Sequence, residues 1–487
     1  MVTLHTLLQA CSIPVGDWED LPISAVVQHS NHAKAGALFF AFDGNHTSGR
    51  SWASEAVAKG AVAVIAERAI EELSVPVIVV AQIRSVYSRM CAAFHGDPQE
   101  KLTIIGVTGT DGKSTTCHYL HQIMARIGIR SGLLSTTSLD DGANAGASPY
   151  RQSTPEAEAL FAFLARCSAH GLSHVILECT SHALSAAFDR LGPITFDAAV
   201  VTTVSREHLD FHRTPAAYLD AKMNLVRRLK MNGLFVSSIE NAALDAFISH
   251  LDPSIEPIIV GQSLPYHIDA NGWEGVIIEA EGKRVQTSLL LSVLATNALL
   301  ALVTARRMCE PPIDLSILSA LKGVKGRMER VPNDLGIIAC IDFAHTPDSY
   351  EKLFSFVSTI HSTGRLIVVM GAAGERDRSK RAAMGRIASA QADLLIITEE
   401  DPRGEDEAQI AADLLKEVEE GHGPIITIPR RRSAIARAVR EAGSGDVILF
   451  LGKGHERSIQ RREGTIAWDE REVVRAALRK KERTLCR

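Results

Sequence analysis

Short blocks of apolar residues recur along the chain, separated by polar turns and by longer stretches of helical character. In the first part they fall at Ala37 to Phe42, Ala61 to Ala66 and Val75 to Ala81, which predicts a small α/β domain over residues 1–100. Among them lies HSNHAKAGALFFAFDGNHTSGRSW (29–52), dense in Gly, Asn, His and Ser around one strand. That composition fits a binding loop and an ordinary surface turn equally. From Lys101 the pattern becomes strand, glycine-rich loop and helix, then further apolar strands at Val175 to Glu178 and Ala198 to Val204. Unbroken apolar strands alternating with helices signal a parallel sheet covered on both faces. VIIEAEGKRVQTSLLL (276–291) predicts a hairpin turning at Glu-Gly-Lys, and a Gly- and Lys/Arg-rich break follows at 323–331. Beyond it, strands at Ile337 to Asp342, Leu366 to Met370, Leu394 to Thr398, Ile425 to Ile428 and Val447 to Leu451 alternate with helical stretches, the pattern of a second doubly wound unit. The terminal DEREVVRAALRKKER reads as a helix with acids first and bases last, its charges a solvated face.

The 487 residues, at roughly 150 per domain, correspond to about three domains. The boundaries expected from the pattern are 1–100, 101–326 and 327–487, an α/β chain with a small first domain, a central parallel-rich sheet and a Rossmann-like last one. A composition of 46% hydrophobic and 22% charged residues excludes wholesale disorder. With 52 basic against 57 acidic side chains, the net charge of −5 gives no electrostatic case for nucleic-acid binding. The eight cysteines form no CxxC pair, so reduced thiols in a cytoplasmic protein are expected, with no zinc clip. No apolar run approaches the roughly 20 residues of a membrane span, and the first residues lack an export signal.

The sharpest chemical signal is TIIGVTGTDGKSTT (103–116), an apolar strand entering a glycine-rich turn that ends in Gly-Lys-Ser before a helix. Glycines let backbone N–H groups close on phosphate oxygens, Lys113 supplies a mobile charge and Ser114 reaches Mg²⁺. The spacing departs from GxxxxGK[ST], because Val107 stands at the first-glycine position. Glu178, in VILECTSH, closes a strand where a hard oxygen ligand for Mg²⁺ belongs, or else caps a helix. SREHLDFH (205–212) places His208 and His212 one helical turn apart without HExxH, which makes a zinc hydrolase a poor reading. IDFAHTPDS (341–349), GAAGERDRSKR (371–381), TEEDPRGED (398–406) and GKGHE (452–456) each follow a strand of the last unit, where open α/β sheets bind ligands. Individually, Asp342, His345 or His455 also suits a structural hydrogen-bonding role.

In order, GVTGTDGKST, the STP at 153–155, ECTSHAL, REHLDFH, GRMERV, DFAHTPDS, GERDRSKRAAMG, EDPRGED and GKGHE resemble the Mur ligase family over essentially the whole chain, at the branch that adds the third residue of the UDP-N-acetylmuramoyl peptide. The resemblance implies a UDP-binding domain, a central P-loop ATPase and a C-terminal domain receiving the amino acid. It implies ATP-dependent formation of an acyl phosphate on the D-Glu side chain, attack by an amine, and release of ADP and phosphate. Lys113, Glu178, His208 and Lys222 would be catalytic. ATP would meet Gly109, Thr110, Asp111, Gly112, Lys113, Ser114 and Thr115, with Asn297, Arg327, Asp342 and His345 reaching it as the last domain closes. Two Mg²⁺ ions are implied, one held by Glu178 with Ser114 or Thr115, the other by His208. Lys222 stands where the family carries a carbamylated lysine, an anionic metal ligand; an unmodified salt-bridging lysine is the alternative. Ser30, Asn45, His46 and Thr47 would hold the UDP, while Ser153, Thr154, Thr180 and Arg190 would contact the muramoyl dipeptide.

For the incoming amino acid the resemblance points to Arg381, Glu400, Asp401, Arg403, Gly452 and Glu456. Relatives that take meso-diaminopimelate typically read DNPR where this chain has Glu400, Asp401, Pro402 and Arg403. Arg403 keeps a fork for a carboxylate, whereas Asp401 adds a negative charge that favours a distal ammonium. Diaminopimelate, L-lysine and L-ornithine all stay open, with a lean towards a substrate lacking the distal carboxylate. Partners are therefore small molecules, with no nucleic acid or membrane, and the chain is expected to act as a monomer. The alternatives are another amide ligase such as folylpolyglutamate synthase, a non-catalytic nucleotide-dependent binding protein, and a DNA-associated P-loop protein.

Overall fold

The computed structural model describes residues 2–43, 48–71, 73–150, 152–205, 207–310, 312–361, 363–419, 421 and 423–485. They divide into two compact units, Met1–Pro265 with Asn297–Asp314, and Tyr266–Thr296 with Leu315–Arg487. Each is mixed α/β around parallel-rich sheets, as the strand–helix alternation predicts.

The first unit holds two sheets. Strands Ala25–Val27, Ala37–Ala41, Ala61–Ala66 and Val77–Val79 pair in parallel in chain order. Alternate residues supply opposite faces: Leu38, Phe40, Ala63 and Ile65 join one apolar cluster, and Phe39, Ala41, Val64 and Ala66 another. The first cluster continues through Tyr87 and Met90 of helix Ile83–Phe94 to Phe161 and Leu164 of helix Ala157–Ala169. Residues 1–100 therefore share a core with the sheet that follows.

That second sheet has eight strands, with Thr103–Thr108 between His174–Glu178 and Phe196–Val201, all three parallel. The chain leaves Thr103–Thr108 for strands on one side of it, the last of them its neighbour His174–Glu178, and then crosses to Phe196–Val201 on the other side, so the end of this strand is a topological switch point, where open α/β sheets take ligands. Phe196–Val201 stops short of the expected Val204 because the next residues turn to bond the glycine loop, Thr110 N–H donating to Thr203 O at 2.6 Å. Towards one edge of the sheet, the strands Ser131–Leu134, Ser138–Asp140 and Ala145–Ala147 are short and rich in Gly and Ser, and no apolar run announced them.

The second unit opens with an antiparallel sheet of Tyr266–Ala270, Val276–Ala280 and Lys283–Thr287. Its predicted hairpin turns at Glu281 and Gly282, with φ of 54° and 70°, the two positive values a type I′ turn requires. The main sheet orders Glu329–Arg330, Ile338–Asp342, Val447–Leu451, Leu366–Met370, Leu394–Ile397 and Ile425–Thr427, parallel except for the first pair. The last strand in sequence thus inserts between two earlier ones, pairing Asp342 with Leu451. Among the described residues, no helix is long and apolar enough to cross a membrane.

Candidate active site

The glycine loop is built by close approach. Gly109 has φ +150°, and a Cβ there would lie 1.8 Å from Thr202 Oγ1. Thr202 Oγ1 lies 3.1 Å from Thr108 O and 2.6 Å from Asp111 O, while Thr110 Oγ1 and the Tyr218 hydroxyl lie 3.0 Å apart. Gly112 starts helix Lys113–Arg126 at φ +83° with no side-chain cap, leaving the first-turn N–H groups to a ligand. A Cβ at Gly112 would meet Asn297 Oδ1 at 2.7 Å, so Asn297 stands beside the loop. Lys113 Nζ donates to Gly109 O at 3.0 Å and Thr110 O at 2.6 Å.

Glu178 is 2% exposed, and its carboxylate gathers three donors from two segments. Ser114 Oγ donates to Oε2 at 2.8 Å, as does the Thr136 N–H, and the Thr136 hydroxyl lies 2.8 Å from Oε1. Helix capping falls instead to Thr180, which accepts from Ala183 N. The Ser153 hydroxyl is 2.6 Å from that of Thr136, Thr154 Oγ1 donates to Glu178 O at 2.7 Å, and Thr180 N–H donates to Thr154 Oγ1 at 3.0 Å. Arg190 reaches Thr154 O at 3.0 Å and Glu156 Oε1 at 2.5 Å. Ser153, Thr154, Thr180 and Arg190 are thus one hydrogen-bonded group continuous with Glu178 and Ser114. Thr115 is buried one residue on.

Lys222 is 1% exposed, and its amine donates to Gly109 O, beneath the loop. Burial, reinforced by the Lys113 ammonium, pushes it well below the usual lysine range, against the pull of Glu207, Asp111 and Glu178. Lys222 Nζ lies 4.5 Å from the Tyr218 ring centroid, and His208 packs 6.2 Å from the same ring. His208 has φ 55° and lies 3.6 Å from Glu207, whereas His212 is buried with Nε2 3.0 Å from Ser181 Oγ. Ser30 is buried against Glu55 at 3.1 Å; Asn45, His46 and Thr47 lie outside the described residues.

In the second unit, the pairing of Asp342 with Leu451 brings DFAH and GKGHE together. Asp342 accepts from Met328 N and Ala344 N, both at 2.7 Å. The Phe343 ring carries the Arg327 guanidinium at 4.7 Å, His345 at 4.7 Å and His455 at 4.9 Å. Glu400 is 7% exposed with Oε2 unpartnered among the described residues, and a Cβ at Gly452 would strike that oxygen at 2.5 Å. Asp401 accepts from Lys453 Nζ at 2.9 Å and Gln460 N at 2.9 Å, and Lys453 also donates to Glu456. Burial disfavours the Lys453 ammonium, yet Glu456 and Asp401 hold its pKa above the usual value. Burial raises that of Glu456. Arg403, at φ 52°, donates to Gln460 Oε1 at 3.1 Å and Gly374 O at 2.7 Å. Arg381 is fully buried, its fork taken by Glu405, Asp413 and Ala373 O.

Three sequence matches cover most of the chain: the Mur ligase family catalytic domain over residues 22–95, the Mur ligase middle domain over 107–305, and the Mur ligase glutamate ligase domain over 326–454. The UDP-N-acetylmuramyl-tripeptide synthetase of Borreliella afzelii is 33% identical over 477 residues, 94% of each chain. The chain belongs to the Mur ligase family. The tripeptide synthetase of Roseiflexus sp. is 36% identical over 487 residues, and the UDP-N-acetylmuramoyl-L-alanyl-D-glutamate–2,6-diaminopimelate ligase of Geobacillus thermodenitrificans 32% over 483. A solved structure of a ligase of the latter name aligns at TM-score 0.64 with 26% identity, covering 99% of this chain and all of that one. The Thermotoga maritima MurF ligase solved with ADP shares the fold at TM-score 0.64 and 19% identity.

The Glu178–Ser114 pair offers hard oxygens beside the glycine loop. Mg²⁺ takes one or two protein oxygens and completes its shell with phosphates and water, so these residues fit it. Sequence reasoning passed over Thr136, Tyr218, Phe343 and Lys453. Each works by contact across the fold; of the four, Lys453 alone carried the signal of a charge, as the second residue of GKGHE.

Proposed function

We propose that the chain joins a diamino acid to UDP-N-acetylmuramoyl-L-alanyl-D-glutamate at the expense of ATP, as an acid–amino-acid ligase of peptidoglycan precursor synthesis in the cytoplasm. The observation that carries this is the junction of Lys113, Ser114 and Glu178 with the Ser153–Thr154–Thr180–Arg190 group. Phosphate-binding and substrate-binding residues there form one network. The proposed modules are 1–100 for UDP, 101–326 for ATP and 327–487 for the amino acid.

Attack of the D-Glu side-chain carboxylate on the γ-phosphorus yields an acyl phosphate and ADP. The free α-amine of the diamino acid then adds to the acyl carbon, and the tetrahedral adduct expels phosphate to leave an amide. This chemistry needs charge neutralised more than a protein nucleophile. Lys113 meets the γ-phosphate and the first-turn N–H groups of its helix meet the others. Arg190 and the three hydroxyls orient the acceptor carboxylate. Bound Mg²⁺, held by Glu178 with Ser114 or Thr115 and, for a second ion, by His208, would neutralise phosphate charge. The lowered basicity of Lys222 supports its carbamylation, because the neutral amine is the form that adds to CO₂. Asn297, Arg327, Asp342 and His345 complete the nucleotide site in this reading.

For the acceptor we favour a distal ammonium. Lys453 is shared by Asp401 and Glu456, and the neighbouring Glu400 has no hydrogen-bond partner on Oε2 among the described residues. Arg381 is committed to Glu405 and Asp413, so we read it as shaping the pocket while Arg403 takes the α-carboxylate. The test is phosphate release with ATP, Mg²⁺ and UDP-N-acetylmuramoyl-L-Ala-D-Glu, with L-lysine, L-ornithine and meso-diaminopimelate run in parallel. Release with lysine or ornithine supports the whole reading. Release with diaminopimelate alone keeps the ligase and overturns the charge argument. No release with any overturns the ligase.

A further inference from the structure

Arg84 opens helix Ile83–Phe94, and its guanidinium lies 3.8 Å from the Phe42 ring centroid and 5.5 Å from that of Phe188. Arg190 flanks the same Phe188 ring at 4.9 Å. Two cations therefore share one aromatic ring, yet their partners differ. Arg190 donates through its two terminal nitrogens to Thr154 O and Glu156. Arg84 makes no side-chain hydrogen bond or ion pair among the described residues, although it is partly buried and burial lowers its pKa. A partly desolvated guanidinium without a hydrogen-bonded anion is costly to keep unless something else offsets it.

Holding the fold together does not require it. Helix Ile83–Phe94 is fastened to the Phe188–Arg190 segment by other groups: Ser85 Oγ donates to Asp189 Oδ2 at 2.7 Å and Ser88 Oγ to Asp189 O at 2.5 Å, while Arg228 holds Asp189 Oδ1 at 2.6 Å. These bonds fix Arg84 and Arg190 beside each other, against the mutual repulsion of two cations that Glu156 and, for Arg84, Glu67 relieve in part. Through Arg190 and Thr154 the pair is continuous with Thr180 and Glu178.

We propose that Arg84 binds an anionic oxygen group of the UDP-muramoyl dipeptide and so helps select that substrate. The proposal rests on the ligase reading above. Two groups of that substrate carry the required chemistry, the α-carboxylate of its D-Glu and the diphosphate, and Arg84 offers either a planar fork already stacked on Phe42.

The experiment compares wild type with Arg84→Gln and Arg84→Lys in steady-state phosphate release. The expected result is a KM for the UDP-muramoyl dipeptide raised at least tenfold in Arg84→Gln, with the KM for ATP and the melting temperature little changed and kcat reduced far less than KM rises. Arg84→Lys should recover part of the loss, and it carries the test if the glutamine variant folds poorly. Two altered substrates separate the sources. If the carboxylate is bound, the KM gap between wild type and variant closes on a dipeptide whose D-Glu α-carboxyl is an amide. If the diphosphate is bound, it closes on the muramoyl dipeptide without UDP. An unchanged KM in Arg84→Gln, or equal rises for ATP and dipeptide, overturns the proposal alone. Absence of wild-type turnover on UDP-muramoyl dipeptide overturns it together with the ligase reading.

Discussion

Lys113 lies folded over its own loop, its ammonium within hydrogen-bond distance of two loop carbonyls, Gly109 O and Thr110 O. Exchanging these for phosphate oxygens needs little movement, so its contribution is charge held ready. Lys113→Ala is expected to lower kcat by about a thousandfold while leaving the far-UV spectrum and melting temperature near wild type; full turnover in that variant would remove the phosphate assignment. His118, on the same helix, titrates out of its usual range. Burial, reinforced by His121, pushes its pKa from 6.5 down to about 4 against the pull of Glu178, with Nε2 2.7 Å from Thr137 Oγ1. The folded protein thus keeps it neutral where the unfolded chain is protonated. The unfolded state binds more protons across that window, so stability falls as pH drops from 6.5 towards 4, by up to about 3 kcal/mol. Urea unfolding at stepped pH should show a shallower decline in His118→Gln, and identical slopes would contradict the assignment. At this scale the charged candidates were legible because Lys, Glu, His and Arg in polar loops carry chemistry on their face. Thr136 and Phe343 were not, since a threonine or phenylalanine means nothing until its neighbour is known.

Elements set how tightly those residues are held. The glycine loop depends on Gly109, where φ +150° and the 1.8 Å approach of Thr202 leave no room for a side chain. Gly109→Ala is expected to cost about 1–3 kcal/mol in stability and most of the turnover. Gly128→Ala is the control, since nothing lies within 4 Å of its Cβ and only the φ of +82° is strained, a cost of about 1 kcal/mol. Comparable melting curves for the two would show that crowding at Gly109 is unimportant. In the second unit, Arg403 is fixed by Gln460 and Gly374 at a strand end. Arg403→Ala should raise the KM for the amino acid at least tenfold and leave UDP-muramoyl dipeptide affinity unchanged by calorimetry; if neither moves, the acceptor pocket lies elsewhere. The apolar runs marked most parallel strands within a residue or two, because strands buried on both faces must be apolar throughout. Leu229–Ser238 escaped notice because its first half is exposed and polar.

For the molecule as a whole, ligand binding links the site to stability. Mg²⁺ with ADP at about a hundred times its Kd should add about 2.7 kcal/mol, visible as a raised melting temperature. Chelation should abolish both that rise and phosphate release, and added Mg²⁺ should restore them. A rise that survives chelation would argue against metal-assisted nucleotide binding. The fold places DFAH and GKGHE side by side by inserting Val447–Leu451 between Ile338–Asp342 and Leu366–Met370. The same principle puts Glu178 and Thr203 on either side of the glycine loop, from strands that follow it in the chain.

The sequence by itself determined the fold class, most strands, the glycine loop and the family, because apolar periodicity and motifs with local geometry are written in consecutive residues. Only the tertiary structure decided which loops meet. It gave Glu178 its donors, buried Lys222 beneath Gly109, committed Arg381 to Glu405 and Asp413, shared Lys453 between two carboxylates and left Arg84 stacked on Phe42 without an ion pair among the described residues. Strand order and burial fix these matters, and both depend on pairings between residues far apart in the chain, for which a linear pattern carries no signal.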